Sequence, residues 1–431
     1  MFSSNLPLAA LFASALSGIS TAQDTATLEG AVYAMSNRTD GNTIVAYGRA
    51  ADGTLTSLGE FATGGLGATF DGGEGLDPLI SAYALIPTQD ERFLLAVNAG
   101  SNTISSLRIE DDYSLTLMDI SRTGGVGPNS VTENDGVIVV SNIDADGVFA
   151  GEPDQEGSLI SILIDDDGQM RTASPALRIL ENRPSSVRFS PDREFLLVSS
   201  INAGSSALAS GNSDEMVVYR MEDTGFLSAE PVGRGSSTLP FNAENRNLPS
   251  AIGFEIIEQG GENFVVVTEA REFQADGSPP EFDKLQTGSV STWRLESDGN
   301  LTPIQLDVLA GTDFFDGERT ACWIRFSNDN STFFVSNALD ASISSYSFDM
   351  GNIEVIRDIE ASGFGAMTGN PFGTTDGFID LWTSRDGAFL YQLYGLSGVI
   401  GVYEVDGSAL TLIQEVSGDL PEANTQGIVA F

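Results

Sequence analysis

Five polar residues stand at corresponding places in a repeating apolar pattern and could carry chemistry. Glu269 and Arg271 follow one apolar run, and Asn129, Arg319 and Asp380 each precede another. If these side chains meet, the two arginines and the asparagine can bind a carboxylate-bearing substrate. Glu269 or Asp380 would then act as the catalytic acid or base. The alternative is that these charges pair with one another and only stiffen the structure.

The composition restricts how such a site could work. The 431 residues contain 20 Lys and Arg, 61 Asp and Glu and no histidine, so the net charge is −41. Without histidine, Ser-His and Cys-His catalysis and His-ligated metals are excluded, and a catalytic carboxylate needs a pKa that burial has raised. The single cysteine, Cys322, excludes an intrachain disulfide, and its apolar neighbours predict that it is buried. The acidic surface excludes nucleic acid and anionic membranes as expected partners.

One segment resembles the start of a calcium-binding loop. Asn142, Asp144 and Asp146 have the alternating spacing of such loops and are followed by Gly147. The first position is Asn rather than Asp, and the twelfth is Pro153 rather than Glu. We therefore expect no cofactor, with calcium at these three residues as the alternative.

The N-terminus predicts secretion. Residues 1–22 contain a short apolar run, 8–16, and end in Ser20-Thr21-Ala22, which fits a signal peptide cleaved after Ala22. The run is too short to span a bilayer, which needs about 20 residues. Three sequons for N-glycosylation follow, at Asn37, Asn300 and Asn330. We expect a secreted, extracellular glycoprotein with no membrane span.

The rest of the chain repeats a unit of four apolar strands. In residues 81–118, two strands flank a polar turn, a longer loop follows, and two further strands flank an acidic turn. The same register returns in five more places: 128–174, 184–229, 249–305, 321–356 and 378–414. Residues 31–58 supply only the last three strands of a unit, and 427–431 supply a lone first strand. The pattern predicts an all-β, seven-bladed β-propeller of four-stranded blades, closed by pairing the C-terminal strand with the N-terminal blade.

We expect residues 23–431 to form this single domain. The alternative, two packed β-sandwiches, would need a linker, and the chain has no Pro- or Ser-rich linker and no shift in composition. The connections also differ in length between the two faces of the ring. Turns between first and second strands and between third and fourth strands are short, and they lie on one face, the short-turn face. The segments before first strands and after second strands are long, and they lie on the other face, the long-loop face. Binding is expected at the long-loop face, where long segments overlie a rigid scaffold.

Several runs resemble the lactonase-type seven-bladed propellers. Phe189-Ser190-Pro191-Asp192 is one of them, and the others lie in order along essentially the whole mature chain at 61–65, 93–101, 289–295, 321–323 and 384–391. This family includes propeller-type 6-phosphogluconolactonase and the 3-carboxy-cis,cis-muconate lactonising enzyme, carboxymuconate cyclase. The resemblance implies the same fold and the opening or closing of a lactone. Where the lactonising enzymes have a catalytic histidine, arginine and glutamate, this chain has Pro128-Asn129, Ser185 and Ile201.

Two functions remain open at this point. The first is a secreted lactonase-like or cyclase-like enzyme that acts on a small lactone or carboxylated substrate. The second is a non-catalytic extracellular propeller of a cell wall, matrix or adhesive surface that binds ligands at its long-loop face. In either case we expect a monomer.

Overall fold

The computed structural model describes residues 27–70, 77–143, 157–180, 183–201, 215–222, 226–237, 246–273, 286–309, 320–338, 341–362 and 377–431. Within these ranges the regular structure consists of strands alone. No helix there is long and apolar enough to cross a membrane. The predicted signal peptide lies outside the described residues.

The strands of these ranges form six antiparallel sheets, five of four strands and one of eight. We divide the eight-stranded sheet where a single residue pair, Ile201↔Ser250, joins its two halves, and call the resulting groups of four blades 1 to 7. Blade 1 combines β1, β2 and β3 with the last strand, β28, and each later blade takes the next four strands in chain order. The strands are β1 (Gly30–Met35), β2 (Thr43–Arg49), β3 (Leu55–Ala62), β4 (Leu85–Pro87), β5 (Phe93–Asn98), β6 (Thr103–Ile109), β7 (Leu115–Arg122), β8 (Pro128–Asn134), β9 (Val137–Asn142), β10 (Gly157–Ile164), β11 (Met170–Leu180), β12 (Arg183–Phe189), β13 (Phe195–Ile201), β14 (Met216–Arg220), β15 (Gly233–Gly235), β16 (Arg246–Gln259), β17 (Glu262–Phe273), β18 (Gln286–Leu295), β19 (Leu301–Leu309), β20 (Ala321–Phe326), β21 (Thr332–Asn337), β22 (Ser342–Asp349), β23 (Asn352–Ser362), β24 (Phe378–Thr383), β25 (Phe389–Tyr394), β26 (Val399–Asp406), β27 (Ala409–Val416) and β28 (Ile428–Ala430).

The first strand of every blade faces the centre of a closed ring. Each first strand contacts the first strand of the next blade, from β4 through β8, β12, β16, β20, β24 and β28 back to β4. The ring closes where β28 pairs with β1 through Val32↔Ala430, Tyr33↔Val429 and Ala34↔Ile428. The all-β propeller and its closure by the C-terminal strand are therefore confirmed.

Burial follows the position of a strand within its blade. The second strands are packed by neighbouring blades on both faces, so β5 and β13 are buried along their whole length and most of their residues are apolar. The fourth strands form the outer edge, and β3 and β7 alternate between half-buried and exposed residues after a first buried one. The Asp-Gly turns between third and fourth strands need a left-handed residue, which Gly168 supplies at φ +79°.

One turn recurs at the short-turn face, between first and second strands. In it a hydroxyl donates to the aspartate two residues later, as from Thr88 to Asp90 at 2.7 Å and from Ser327 to Asp329 at 2.7 Å. The N–H of Ser331 and the hydroxyls of Ser327 and Ser331 hold the pKa of Asp329 below its usual value. These local bonds fix where β4 and β20 end.

The centre of the ring is filled by residues 77–84, which we call the plug. Ser81 donates from its hydroxyl to the carbonyl of Asn129 in blade 3 at 2.7 Å, and the N–H of Ala82 donates to Ser186 Oγ in blade 4 at 3.0 Å. Tyr83 donates from its hydroxyl to the carbonyl of Phe254 in blade 5 at 2.8 Å.

Two more side chains reach the plug from the other side of the ring. Trp323 Nε1 of blade 6 donates to the carbonyl of Ser81 at 2.9 Å, and Gln426 Nε2, which precedes β28, donates to the same oxygen at 2.6 Å. One short segment is thus bonded to most of the ring.

Candidate functional site

Two buried carboxylates meet around one serine at the long-loop face, between blades 4 and 5. The hydroxyl of Ser237, just after β15, lies 2.8 Å from Glu215 Oε2 and 2.7 Å from Glu269 Oε1. Ser289 in β18 donates to the second oxygen of Glu269 at 2.6 Å. Glu215, Ser237 and Glu269 are all 0% exposed. We call these four residues the acid seam.

The proton count of the acid seam defines its chemistry. Ser237 has one hydroxyl proton, which can serve one of its two carboxylate neighbours at a time. The second contact becomes a hydrogen bond when one of the two carboxyl groups is itself protonated and donates to the serine. Burial and a neighbouring like charge are the conditions under which two carboxyl groups share one proton. A pair that holds one proton contains a carboxylate and a carboxylic acid, which are a base and an acid.

The alternation of β17 explains why Glu269 points into the seam. Thr268, one residue earlier, faces blade 6 and donates to the carbonyl of Cys322 at 2.6 Å. Glu269 therefore faces the opposite side, towards blade 4. Its cross-strand partner is Ser289 in β18, which places that hydroxyl within bonding distance.

Asp380, the other predicted acid or base, lies at the plug. It is buried in β24, and its Oδ2 accepts the N–H of Gly427 at 2.7 Å. Burial raises the pKa of Asp380 to about 7, although the Gly427 hydrogen bond opposes this. Asp380 and Glu269 thus have different hydrogen-bond partners: one is held at the ring centre and the other in the acid seam.

The predicted substrate-binding residues do not form a described site. Asn129 is fully buried, its amide nitrogen donates to the carbonyl of Pro184 at 2.8 Å, and its oxygen accepts the hydroxyl of Ser141 at 2.8 Å. Both ends of its amide are occupied by the protein, so this conformation gives no support to substrate binding by Asn129. Arg271 lies on β17, paired with Pro249, and its side chain lies outside the described part, as does the whole of Arg319.

The calcium alternative stays a prediction. Asn142 is buried, and its amide nitrogen is directed at Ser158 Oγ at 3.3 Å and at the carbonyl of Thr123 at 3.4 Å. Asp144 and Asp146 lie outside the described residues. Within the part of the chain that the structure describes, His, Cys, Asp and Glu form no group of three suited to a metal ion.

The three sequons lie in different surroundings. Asn37 is 0% exposed, and its amide nitrogen donates to the carbonyls of Ala68 at 2.8 Å and Asn424 at 3.1 Å. The folded chain has no room for a glycan there, so the prediction at Asn37 disagrees with this geometry. Asn300 is exposed and Asn330 is half-buried, both at turns of the short-turn face. Cys322 is buried, as predicted.

Sequence reasoning identified Glu269 but missed its partners. It considered only residues before first strands and after second strands, whereas Glu215 precedes a third strand and Ser237 follows a fourth. The signal that could have found them is polar residues at the remaining strand ends of the long-loop face. Their convergence depends on how blade 4 packs against blade 5, which a one-dimensional register does not contain.

Comparisons with known proteins identify the fold. No protein-family model and no curated protein matches the sequence. A protein from Bacteroides uniformis, provisionally assigned as a 6-phosphogluconolactonase, is 16% identical, covers 93% of this chain and 99% of its own, and gives a TM-score of 0.61. The periplasmic gluconolactonase PpgL of Pseudomonas aeruginosa is 17% identical over 93% of this chain and 98% of its own, with a TM-score of 0.60.

A third similar structure belongs to a protein with a different description. A hypothetical selenium-binding protein from Sulfolobus tokodaii is 11% identical over 94% of this chain and 93% of its own, with a TM-score of 0.59. The chain therefore has the fold of the lactonase-type β-propellers, which confirms the resemblance in fold. Because proteins of such different descriptions share that fold, the reaction has to be argued from the site.

Proposed function

We propose that this protein is a secreted lactonase-like enzyme that opens a small lactone at the acid seam. The observation that carries the proposal is the placement of one hydroxyl between two fully buried carboxylates, Glu215 and Glu269. The likeness in fold to a gluconolactonase over nearly the whole chain supports it. The location at the long-loop face agrees with the general position of binding sites on rigid scaffolds.

Lactone opening needs one base and one acid, and a pair that shares a proton supplies both. The carboxylate takes a proton from water as the water oxygen bonds to the lactone carbonyl carbon. The carboxylic acid gives its proton to the ring oxygen as the carbon–oxygen bond breaks. The pair then again holds one proton, and the new carboxylic acid of the product ionises into solvent. Arg271 and Arg319 are proposed to bind the substrate's polar groups.

The test is turnover of gluconolactone by the purified chain without residues 1–22. Glu269→Gln and Glu215→Gln should each lower kcat by about a hundredfold, the lower end of what general acid–base catalysis contributes. Glu110→Gln, at a half-buried ion pair with Arg108, is the matched control and should keep full activity. Lactone hydrolysis no faster than in buffer, or equal hydrolysis by Glu269→Gln, would reject the site.

One observation favours the second function, a non-catalytic extracellular propeller. Both carboxylates and Ser237 are 0% exposed, which suits groups that hold blades together. Glu269→Gln and Glu215→Gln would then lower the unfolding temperature while no lactone is turned over by any form of the protein. Activity and thermal unfolding measured on the same samples separate the two functions.

A further inference from the structure

A cavity of about 420 Å³ opens at the short-turn end of the ring, on the side opposite the acid seam. Its walls come from the ends of first strands and the turns that follow them in blades 2, 3, 4, 6 and 7, together with β28. Arg188, Arg325 and Trp382 are among the lining residues, with Ile86 adding apolar surface. Nothing in the proposed lactonase site uses this cavity.

Cross-strand pairing shows that its charged residues lie at one level of the ring. Arg188 pairs with Leu197, Glu255 with Val266, Arg325 with Phe334 and Trp382 with Tyr391. Leu197, Phe334 and Tyr391 are each the third residue of their second strand. Glu255 lies level with Arg188 and Arg325 because it forms ion pairs with both. Blades 4, 5, 6 and 7 therefore contribute Arg, Glu, Arg and Trp in sequence to one layer of the channel.

Glu255 holds the two arginines in place beneath the cavity. Its Oε2 lies 3.1 Å from Arg188 Nη2 and its Oε1 lies 2.8 Å from Arg325 Nη1. Arg188 also lies over the ring of Tyr83, with its Cζ 4.4 Å from the centroid, and Arg325 lies over Trp382 at 3.6 Å. Ion pair and ring contact together orient each planar guanidinium.

The arginines keep surface towards the cavity. Glu255 has a side-chain exposure of only 6%, whereas Arg188 and Arg325 are 28% and 18% exposed. Each guanidinium has five N–H donors. Each is joined to Glu255 through a single nitrogen, and Arg188 also hydrogen-bonds Tyr83. The remaining N–H groups of the two arginines are thus available to a ligand. Because both side chains are partly buried, these groups have already lost part of their hydration.

The acids at the rim are held by their own partners. Glu133 accepts the N–H groups of Gln89 at 2.8 Å and Gly136 at 2.7 Å, and Glu91 forms an ion pair with Arg385. These bonds keep the rim carboxylates directed at the turns.

At the rim, Glu91, Glu133 and Arg385 sum to one negative charge. Two arginines and one glutamate leave one positive charge at the floor of the cavity. That charge matches a single carboxylate, whose two oxygens fit a guanidinium fork. A phosphate dianion fits less well, because the net charge of −41 opposes a second negative charge. Trp382 and Ile86 provide apolar walls for a flat organic body.

We propose that the short-turn cavity binds a small planar monocarboxylate, with its carboxylate between Arg188 and Arg325 and its apolar body against Trp382. The site is independent of the proposed lactonase function, and its test measures binding instead of turnover.

Benzoate is the probe, and calorimetric and fluorescence titrations are the readouts. Fluorescence reports on the site because Trp382 is half-buried, whereas the other tryptophans, Trp293 and Trp323, are buried. Saturable binding with a change in tryptophan emission is expected for the full mature chain. Absence of saturable binding, or equally tight binding of inorganic phosphate, overturns the proposal.

Three variants locate the ligand. Arg325→Gln should weaken benzoate binding by about tenfold or more, the loss of one charge-assisted hydrogen bond. Arg108→Gln, which removes the same charge from a partly exposed ion pair with Glu110, is the control and should bind like the wild type. Glu255→Gln raises the floor charge and should tighten binding in a protein that still unfolds cooperatively. Unchanged affinity in Arg325→Gln, or no tightening in folded Glu255→Gln, contradicts the site.

Discussion

Asp380 illustrates how the interior of the ring sets the chemistry of single side chains. Its carboxyl is buried beside the plug, and burial raises its pKa to about 7. Burial, followed by the charges of Asp77 and Asp380, raises the pKa of the Cys322 thiol. The thiol therefore stays protonated and unreactive in the folded protein.

Asp380→Asn should stabilise the protein increasingly as the pH rises from 4 to 7. The unfolded chain loses the Asp380 proton near its ordinary pKa of 3.8, whereas the folded chain keeps it to about 7. Folding is therefore penalised across this window, by on the order of 4 kcal/mol at most once both states are ionised. Asn retains an oxygen that can accept the Gly427 N–H. Urea unfolding of both proteins at each pH measures the difference.

The matched control is Asp349→Asn, at an exposed carboxylate. Its stability relative to wild type should change little between pH 4 and 7. If Asp380→Asn also gave a constant difference, the buried carboxyl would not titrate in this range and the prediction would be wrong.

At the scale of elements, the plug is a segment without secondary structure of its own that is fixed by its neighbours. Ile80 and Tyr83 have φ values of +49° and +65°, a region that side chains adopt at a cost. The plug's hydrogen bonds offset that cost: it donates to Asn129, Ser186 and Phe254 and accepts from Trp323 and Gln426.

Tyr83→Phe should lower the free energy of unfolding by about 1–3 kcal/mol. The substitution keeps the ring beneath Arg188 but leaves the buried carbonyl of Phe254 without its hydroxyl donor, and an orphaned buried acceptor costs about that much. Urea unfolding provides the measurement. Tyr113→Phe, at a half-buried hairpin position, should change stability much less. An equal loss in both variants would show that the Tyr83 hydrogen bond does not stabilise the plug.

The strands could be predicted from the sequence because their causes are local. The run of β5 is apolar from Phe93 to Val97, and an Asp-Gly pair such as 167–168 specifies its turn. The plug could not be predicted, because its conformation is set by contacts with distant blades. Asn129 shows the same limit: its place before a first strand was read from the sequence, but its amide donates to the carbonyl of Pro184 instead of being available to a substrate.

Only part of the acid seam could be predicted, because its other contacts join residues of different blades. Glu269 could be found from the end of its strand, since strand ends are local features. Glu215 and Ser237 join it only because one blade packs on the next. The sequon at Asn37 is likewise a local pattern whose side chain the folded ring buries.

At the scale of the whole molecule, stability depends on closing the ring with three residues. Ile428, Val429 and Ala430 in β28 are almost fully buried and complete blade 1. They also lie between β24 and β4, which they contact on either side. Without them β1 becomes an open edge, and the neighbouring blades lose a packing surface.

Removal of residues 428–431 should lower the free energy of unfolding by several kcal/mol, because burial of each Ile or Val side chain contributes about 1.5–3 kcal/mol and the edge hydrogen bonds of β1 are lost as well. Thermal unfolding and the binding of a hydrophobic dye measure the loss of stability and the newly exposed surface. A synthetic peptide of residues 425–431 should restore part of the stability by adding back the missing strand, whereas a scrambled peptide should not.

A truncated chain that unfolds at the wild-type temperature would show that the ring does not need its closing strand. Because β28 connects the last blade to the first, partial rescue by the native peptide alone would establish that closure, beyond the apolar content of the segment, stabilises the molecule.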